Sequence, residues 1–149
     1  MQFTIKEVEV SSVLDRVDLL KMHYDEIAKN KSIMVLDPDR AKYQAIERAG
    51  KLLGLAAFCD DKIVGYSLNV IDTHIHYAEL VCCVNDVLFV DPVYRNSRCG
   101  IMLIKQTESV AKNRGAKLML WHAKSETALD LLMPKLGYGV QDIIYSKVI

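Results

Sequence analysis

Positions 84–104 read VNDVLFVDPVYRNSRCGIMLI, an apolar strand followed by a short polar loop and the opening of a helix. A helix start presents unpaired backbone N–H groups and the positive end of a dipole, a combination that suits phosphate. Arg95 and Arg98 add positive charge there, and Asn96, Ser97 and Gly100 keep the loop compact and polar. On the residues alone this is a candidate pyrophosphate cradle, and an ordinary strand-to-helix loop with exposed arginines fits as well. The chain lacks GxxxxGKS or GxxxxGKT, and it lacks GxGxxG followed by an acid about twenty positions on, so the phosphate-loop ATPase and dinucleotide dehydrogenase readings drop out. Asp86 is the one charge inside the apolar strand. His74 and His76 form an HxH pair with Asp72 and Glu79 close by. Two histidines fall short of a metal set, and no other His or Cys pair has suitable spacing, so no metal is expected. Cys99, at a helix start beside arginines, is expected to have a lowered thiol pKa.

These groups need a scaffold to hold them. Phe3–Val10 alternates like a strand. Ser11 and Ser12 offer caps, with Asp15 three residues after Ser12, and Val13, Val17, Leu20, Tyr24 and Ile27 follow at helical spacing. Asp37-Pro38 reads as the cap and first position of a second helix, with the stripe Ala41, Ala45, Ala49 and Leu52 and a stop at Gly54. Leu55–Cys59 and Ile63–Ile71, around Asp60-Asp61-Lys62, read as a hairpin with Val64, Tyr66, Leu68 and Val70 on one face. Leu80–Val90 is apolar on both faces, which places it in the middle of a covered sheet. Strict alternation puts Cys82, Val84, Leu88 and Val90 on one face and Val81, Cys83, Val87 and Phe89 on the other. A helix from Arg98 to Arg114 closed by Gly115, a strand at Leu118–Trp121, a helix capped by Ser125 and stopped by Gly137, and a last strand at Tyr138–Val148 complete the order. The pattern is a mixed sheet with helices on its faces.

The chain has 149 residues, with 19 Lys and Arg against 19 Asp and Glu. That length suits one domain spanning residues 1–149. A neutral balance lacks the basic footprint that non-specific nucleic-acid binding needs. The opening MQFTIKEVEVSSVLDRVD is neither a leader nor an anchor, and no apolar run approaches the roughly 18 residues that cross a bilayer. Cys59, Cys82, Cys83 and Cys99 show no CxxC spacing and read as small buried hydrophobes of a reducing compartment. A cytoplasmic protein with no nucleic-acid or membrane partner is expected.

The stretch LFVDPVYRNSRCGIMLI resembles the acetyl-CoA-binding motif of the GNAT N-acetyltransferase superfamily. That pattern is a strand with an apolar end, a short loop, and Q/R-x-x-G-x-G/A opening a helix. Arg95, Cys99 and Gly100 fall at its first, fifth and sixth positions, and Arg98 replaces its first glycine. Arg supplies the same backbone N–H and fits wherever φ is negative. LMPKLGYGV resembles the family's closing helix–Gly–aromatic–strand segment, and the element order matches along essentially the whole chain.

The resemblance implies a three-layer α+β fold with a mixed, mostly antiparallel central sheet. It implies acetyl-CoA as co-substrate, its pantetheine arm along the backbone of Leu88, Phe89 and Val90, where the strand splays from Leu118–Trp121. The pyrophosphate would rest on the amides of Arg95, Asn96, Ser97, Arg98, Cys99, Gly100 and Ile101. A backbone N–H near Phe89 or Val90 would steady the thioester oxygen. An amine acceptor must lose a proton, and Asp86, where the family often has an acid, is the expected base. Apolar surroundings make a carboxylate a more competent base. Glu79 and His76 are expected at the acceptor site, with Tyr24, Tyr43, His74 and Tyr77 also to be tested. The family's usual acid, a Tyr, aligns with Met133, which leaves Tyr138, Tyr145, His122 or water. The expected function is N-acetylation of a small-molecule or protein amine by direct attack in a ternary complex, by a monomer or homodimer. The alternative is an acyl-CoA-binding regulatory module without turnover.

Overall fold

The computed structural model describes residues 1–149. The chain forms β1 (Thr4–Glu7), α1 (Val10–Leu14), α2 (Val17–Ile27), α3 (Arg40–Arg48), β2 (Leu52–Cys59), β3 (Lys62–Thr73), β4 (Val81–Val90), α4 (Cys99–Asn113), β5 (Leu118–Leu120) and α5 (Ala128–Leu132). Short 3-10 turns follow β4 at Pro92–Tyr94 and α5 at Met133–Leu136. The strands make one sheet in the order β1-β2-β3-β4-β5, antiparallel except for the parallel β4–β5 pair. Asp60 and Asp61, at φ 49° and 62°, make the tight turn between β2 and β3. Positive φ at both central residues matches the twist of the flanking strands.

Each face of the sheet has its own core. Under α4 lie Leu53, Leu55, Cys83, Val90, Cys99 and Leu103. Under α1, α2 and α3 lie Val10, Val13, Leu19, Tyr66, Leu68 and Phe89. The fold is therefore the expected α+β arrangement of a mixed sheet covered on both faces.

Strict alternation fails at one residue of β4. The β3–β4 register runs from Gly65↔Val90 to Leu68↔Val87 and resumes at Asn69↔Asn85, so Asp86 is an unpaired extra residue, a β-bulge. Val81 and Cys83 before the bulge consequently share the α4 face with Leu88 and Val90 after it. Val87 and Phe89 turn toward the other three helices. A second register shift, between Ala57 and Phe58, sends Val64 to the α4 face while Tyr66 and Leu68 face the opposite way.

Beside the Asp86 bulge sits a buried polar group of Ser67, Asn69, Asn85 and Thr107, each no more than 1% exposed. Asn85 Nδ2 donates to Asn69 Oδ1 (2.9 Å) on the neighbouring strand and to Val87 O (3.1 Å) across the bulge. Asn69 Nδ2 donates to Leu53 O (3.1 Å), and Thr107 Oγ1 to Leu103 O (2.7 Å). The network spans three strands and α4, and it pins the bulge from behind. Asn85 Oδ1 is buried without a partner.

Several elements differ from the sequence reading. The first strand stops at Glu7, and the first helix splits at Asp15–Arg16. Val10 N–H is taken by the Glu47 carboxylate (2.7 Å) and Asp15 by Arg40 (2.7 Å), so tertiary partners set the break. Val17 is left exposed, while Leu19 is fully buried. Asp39, not Asp37, caps α3 through Lys42 N (2.9 Å). That helix ends before Gly50 (φ 72°), and Gly54 lies inside β2, where a Cβ would sit 2.9 Å from Val8 O. Thr127 replaces Ser125 as the last helix cap. Tyr138–Val148 forms no strand, and its Ile143, Ile144 and Tyr145 are exposed. Strand β5, three residues long, offers that segment little edge to pair with. No helix is long and apolar enough to cross a membrane.

Candidate active site

Strands β4 and β5 pair only from Cys82↔Leu118 to Val84↔Leu120. Beyond the bulge β4 has no neighbour on that side. Asp91 N–H donates to Val64 O (2.9 Å) on the β3 side. Alternation along the strand then turns the N–H and C=O of Leu88 and Val90 into the gap, and those of Phe89 toward β3. Arg95 Nε meets Val90 O from the gap side at 2.9 Å. The free edge is therefore Leu88 N–H, Leu88 C=O and Val90 N–H. The N–H of Phe89, one of two expected oxyanion donors, faces the neighbouring strand instead.

The loop beyond the strand supplies a second set of donors. No protein acceptor takes the N–H groups of Asn96, Ser97, Arg98, Gly100 or Ile101, whereas Cys99 N–H donates to Ser97 Oγ (3.2 Å). Unpaired amides at the start of a 15-residue helix make an anion cradle. Arg98 has φ −80°, so its replacement of glycine costs no backbone strain. Its side chain is exposed and free of ion pairs. Arg95 is committed elsewhere. Its guanidinium makes a two-pronged pair with Glu26 of α2 (2.7 and 2.8 Å) and lies 5.1 Å from the Phe89 ring centre. Cys99 is fully buried, and burial, with Cys59 nearby, pushes its thiol up to about 11. The expected activated thiol is therefore an inert core residue.

The opposite face of β4 carries the candidate base. Asn85 points into the polar network on the α4 side, so Val84 and Asp86 on either side of it point toward α3. There the Tyr43 hydroxyl donates to the Asp86 carboxylate. Burial and that carboxylate both raise the Tyr43 pKa, so the phenol stays protonated. Asp86 itself is exposed rather than sunk in the apolar strand. Further along the same face, Tyr66 is fully buried and its hydroxyl meets His23 Nδ1 at 2.9 Å. The His23 ring stacks on Phe89, with ring centres 4.7 Å apart. Burial lowers the His23 pKa to about 4; Arg95 and Lys124 act in the same direction, and Glu26 opposes them. His23 is thus neutral at pH 7.

The remaining candidates lie apart from this centre. His76 and Glu79 are exposed on the turn between β3 and β4. Five residues of strand, about 16 Å, separate that turn from Asp86. His76 N–H donates to His74 Nδ1 (3.0 Å), and the Tyr77 ring packs against both imidazoles (4.9 and 5.1 Å). Met133 is buried, and Tyr145 is exposed. Tyr138 donates to Glu108, and burial with that carboxylate raises its phenol to about 12. His23, Glu26 and Tyr66 were invisible in the sequence as site residues. Tyr66 reads as one more large residue on an apolar strand, and His23 falls off the expected helical stripe.

The sequence matches the model of the Acetyltransferase (GNAT) family over residues 20–138. No curated protein matches it. Among solved structures, an aminoglycoside acetyltransferase from an uncultured soil metagenomic sample superposes with a TM-score of 0.77 at 16% identity, covering 100% of this chain and 99% of the other. Glucosamine-6-phosphate N-acetyltransferase from Arabidopsis thaliana gives 0.74 at 16% identity, covering 99% of each chain. An aminoglycoside N-acetyltransferase, AAC(6')-Iy, solved in complex with CoA gives 0.70 at 18% identity, covering 98% of this chain and 95% of the other. Identities this low speak to the fold. The family model, which spans most of the chain and takes in the splayed strand, the amide cradle and the helix after it, settles membership: the protein belongs to the acetyltransferase (GNAT) family.

Proposed function

We propose that this acetyltransferase moves the acetyl group of acetyl-CoA to an amine by direct attack in a ternary complex. One observation carries the reading: the free edge of β4 opens onto five unpaired loop amides on one side and onto Asp86 on the other. The residues fit the donor. Leu88 and Val90 offer the N–H and C=O groups that the amides of a pantetheine arm would meet as an added strand. Asn96, Ser97, Arg98, Gly100 and Ile101 offer amides for a pyrophosphate, and the Arg98 side chain adds charge. Acetyl-CoA, when bound, supplies an acetyl group activated as a thioester.

The protein's own groups then do three things. Leu88 N–H, held in the gap by the bulge, donates to the carbonyl oxygen under attack. Asp86 takes the proton of the incoming amine, directly or through one water. Tyr43 holds the Asp86 carboxylate in place by donating to it. The amine nitrogen forms the new N–C bond with its lone pair, and the C–S pair leaves on the CoA sulfur, which takes its proton from solvent.

Calorimetry with acetyl-CoA tests the reading first. A Cβ at Gly100 meets nothing nearer than Val90 Cγ2 at 3.9 Å, so Gly100→Trp fills the cradle without crowding the core. Binding to the native protein and its loss in Gly100→Trp are expected, followed by amine-dependent thiol release. Binding without thiol release across a broad amine panel would favour the regulatory module. No binding by a folded protein would sink the reading altogether.

A further inference from the structure

We infer that the acceptor is a small monoamine with an apolar body, its nitrogen at Asp86 and its body in the cavity beyond Val84. The inference rests on the acetyl-transfer reading and narrows its acceptor.

Two independent features point there. The first is a cavity of about 240 Å³ on the helix-covered face of β3 and β4. Val70, Cys82, Val84 and Ile75 form its apolar wall, with Asp72 and His74 at the rim. Val84 lies two residues from Asp86 on the same face, a step of about 7 Å. Val84 is also the last β4 residue paired with β5, so the cavity begins where the strands part. Its volume is below the roughly 300–1,000 Å³ of drug-sized ligand sites, which suits one ring or a branched chain.

The second feature is the charge inventory. A polycationic acceptor needs several unpaired carboxylates. On α2, Asp18 is paired with Arg16 (2.8 Å), Asp25 with Lys21 (2.7 Å) and Glu26 with Arg95 (2.7 Å). The one acid of α3, Glu47, accepts from Val10 N–H (2.7 Å). Asp15 is held by Arg40 (2.7 Å), and Asp72 at the cavity rim by Lys51 (2.9 Å). Asp86 alone has only a neutral partner, the Tyr43 hydroxyl. One ammonium finds an anion here and a second does not. Desolvating an unpaired second charge against Val70 and Val84 would be unfavourable.

Steady-state rates of thiol release with 2-phenylethylamine, ethylamine, spermidine and sisomicin decide the matter. The expected kcat/KM for 2-phenylethylamine exceeds those for ethylamine and spermidine by about tenfold or more, the usual value of an apolar subsite. Val84→Phe, which fills the cavity, should erase that advantage while leaving the ethylamine rate and acetyl-CoA affinity within about threefold of native. If that variant does not fold, Val84→Thr, close in volume but polar, should lower the 2-phenylethylamine kcat/KM and spare ethylamine. A native preference for spermidine or sisomicin would leave acetyl transfer standing and overturn the monoamine acceptor. So would a 2-phenylethylamine advantage indifferent to both Val84 variants. Acetyl-CoA binding with no thiol release from any amine would overturn the transfer reading and this inference with it.

Discussion

The two faces of the sheet keep their polar groups in different chemical states. Against α4 the polar side chains are amides and hydroxyls, buried and neutral, joined in a network behind the bulge. Against α1, α2 and α3 they are titratable or charged: His23, Tyr43, Asp86 and the Glu26–Arg95 pair. The donor's expected seat is therefore built from backbone and uncharged groups, and the groups able to move a proton face the acceptor. One strand serves both because the bulge turns Asp86 one way and leaves the edge of Leu88 and Val90 facing another.

The widest separation between the faces is expected from Asp86→Asn. General-base loss should lower kcat by about 10²–10⁴-fold while acetyl-CoA affinity and the melting temperature stay put. Unchanged turnover would remove Asp86 from the chemistry and dissolve the contrast. Leu103→Ala, buried beneath α4, attacks the other face. Urea denaturation should show a loss of about 2–5 kcal/mol, whereas Val17→Ala on the exposed side of α2 should stay within about 0.5 kcal/mol.

Acid should discriminate between the faces as well. The folded His23 pKa of about 4 lies below its ordinary 6.5, so the unfolded chain binds a proton that the folded one resists. The stability this gives is complete above pH 6.5 and is lost as pH falls toward 4, up to about 3 kcal/mol. His23→Gln should flatten the urea midpoint across that interval; an unchanged slope would show that His23 is not the group responsible. The smallest effect belongs to Glu26→Gln. The Glu26–Arg95 pair is partly exposed, so stability should fall by no more than about 1 kcal/mol. Releasing Arg95 from α2 should nonetheless shift the amine KM more than the acetyl-CoA affinity, which steady-state kinetics would separate.

Local chemistry made part of this molecule readable in advance. The helix ending before Gly115, the Asp60-Asp61 turn and the loop from Arg95 to Ile101 all follow from residues adjacent in the chain. What escaped depends on distant partners. Glu26 lies 69 positions from Arg95, and Glu47 lies 37 from Val10, so neither the strap on the loop nor the break after α1 had a nearby signal. The last segment alternates as a strand should, but alternation describes a face and cannot provide a neighbour to pair with. The Asp86 bulge was hidden for a related reason. Its presence shows only when the register on β3 is counted from both ends.

That extra residue also divides the strand into two reading frames. Substitution at position 86 leaves both frames where they are, and only the carboxylate is at stake. Deletion would bring the two halves of β4 into one frame, exchanging Leu88 and Val90 with Val87 and Phe89 between the two faces. A change in chain length that a surface loop would absorb is intolerable between Asn85 and Val87. The site depends on a residue count there at least as much as on a residue type.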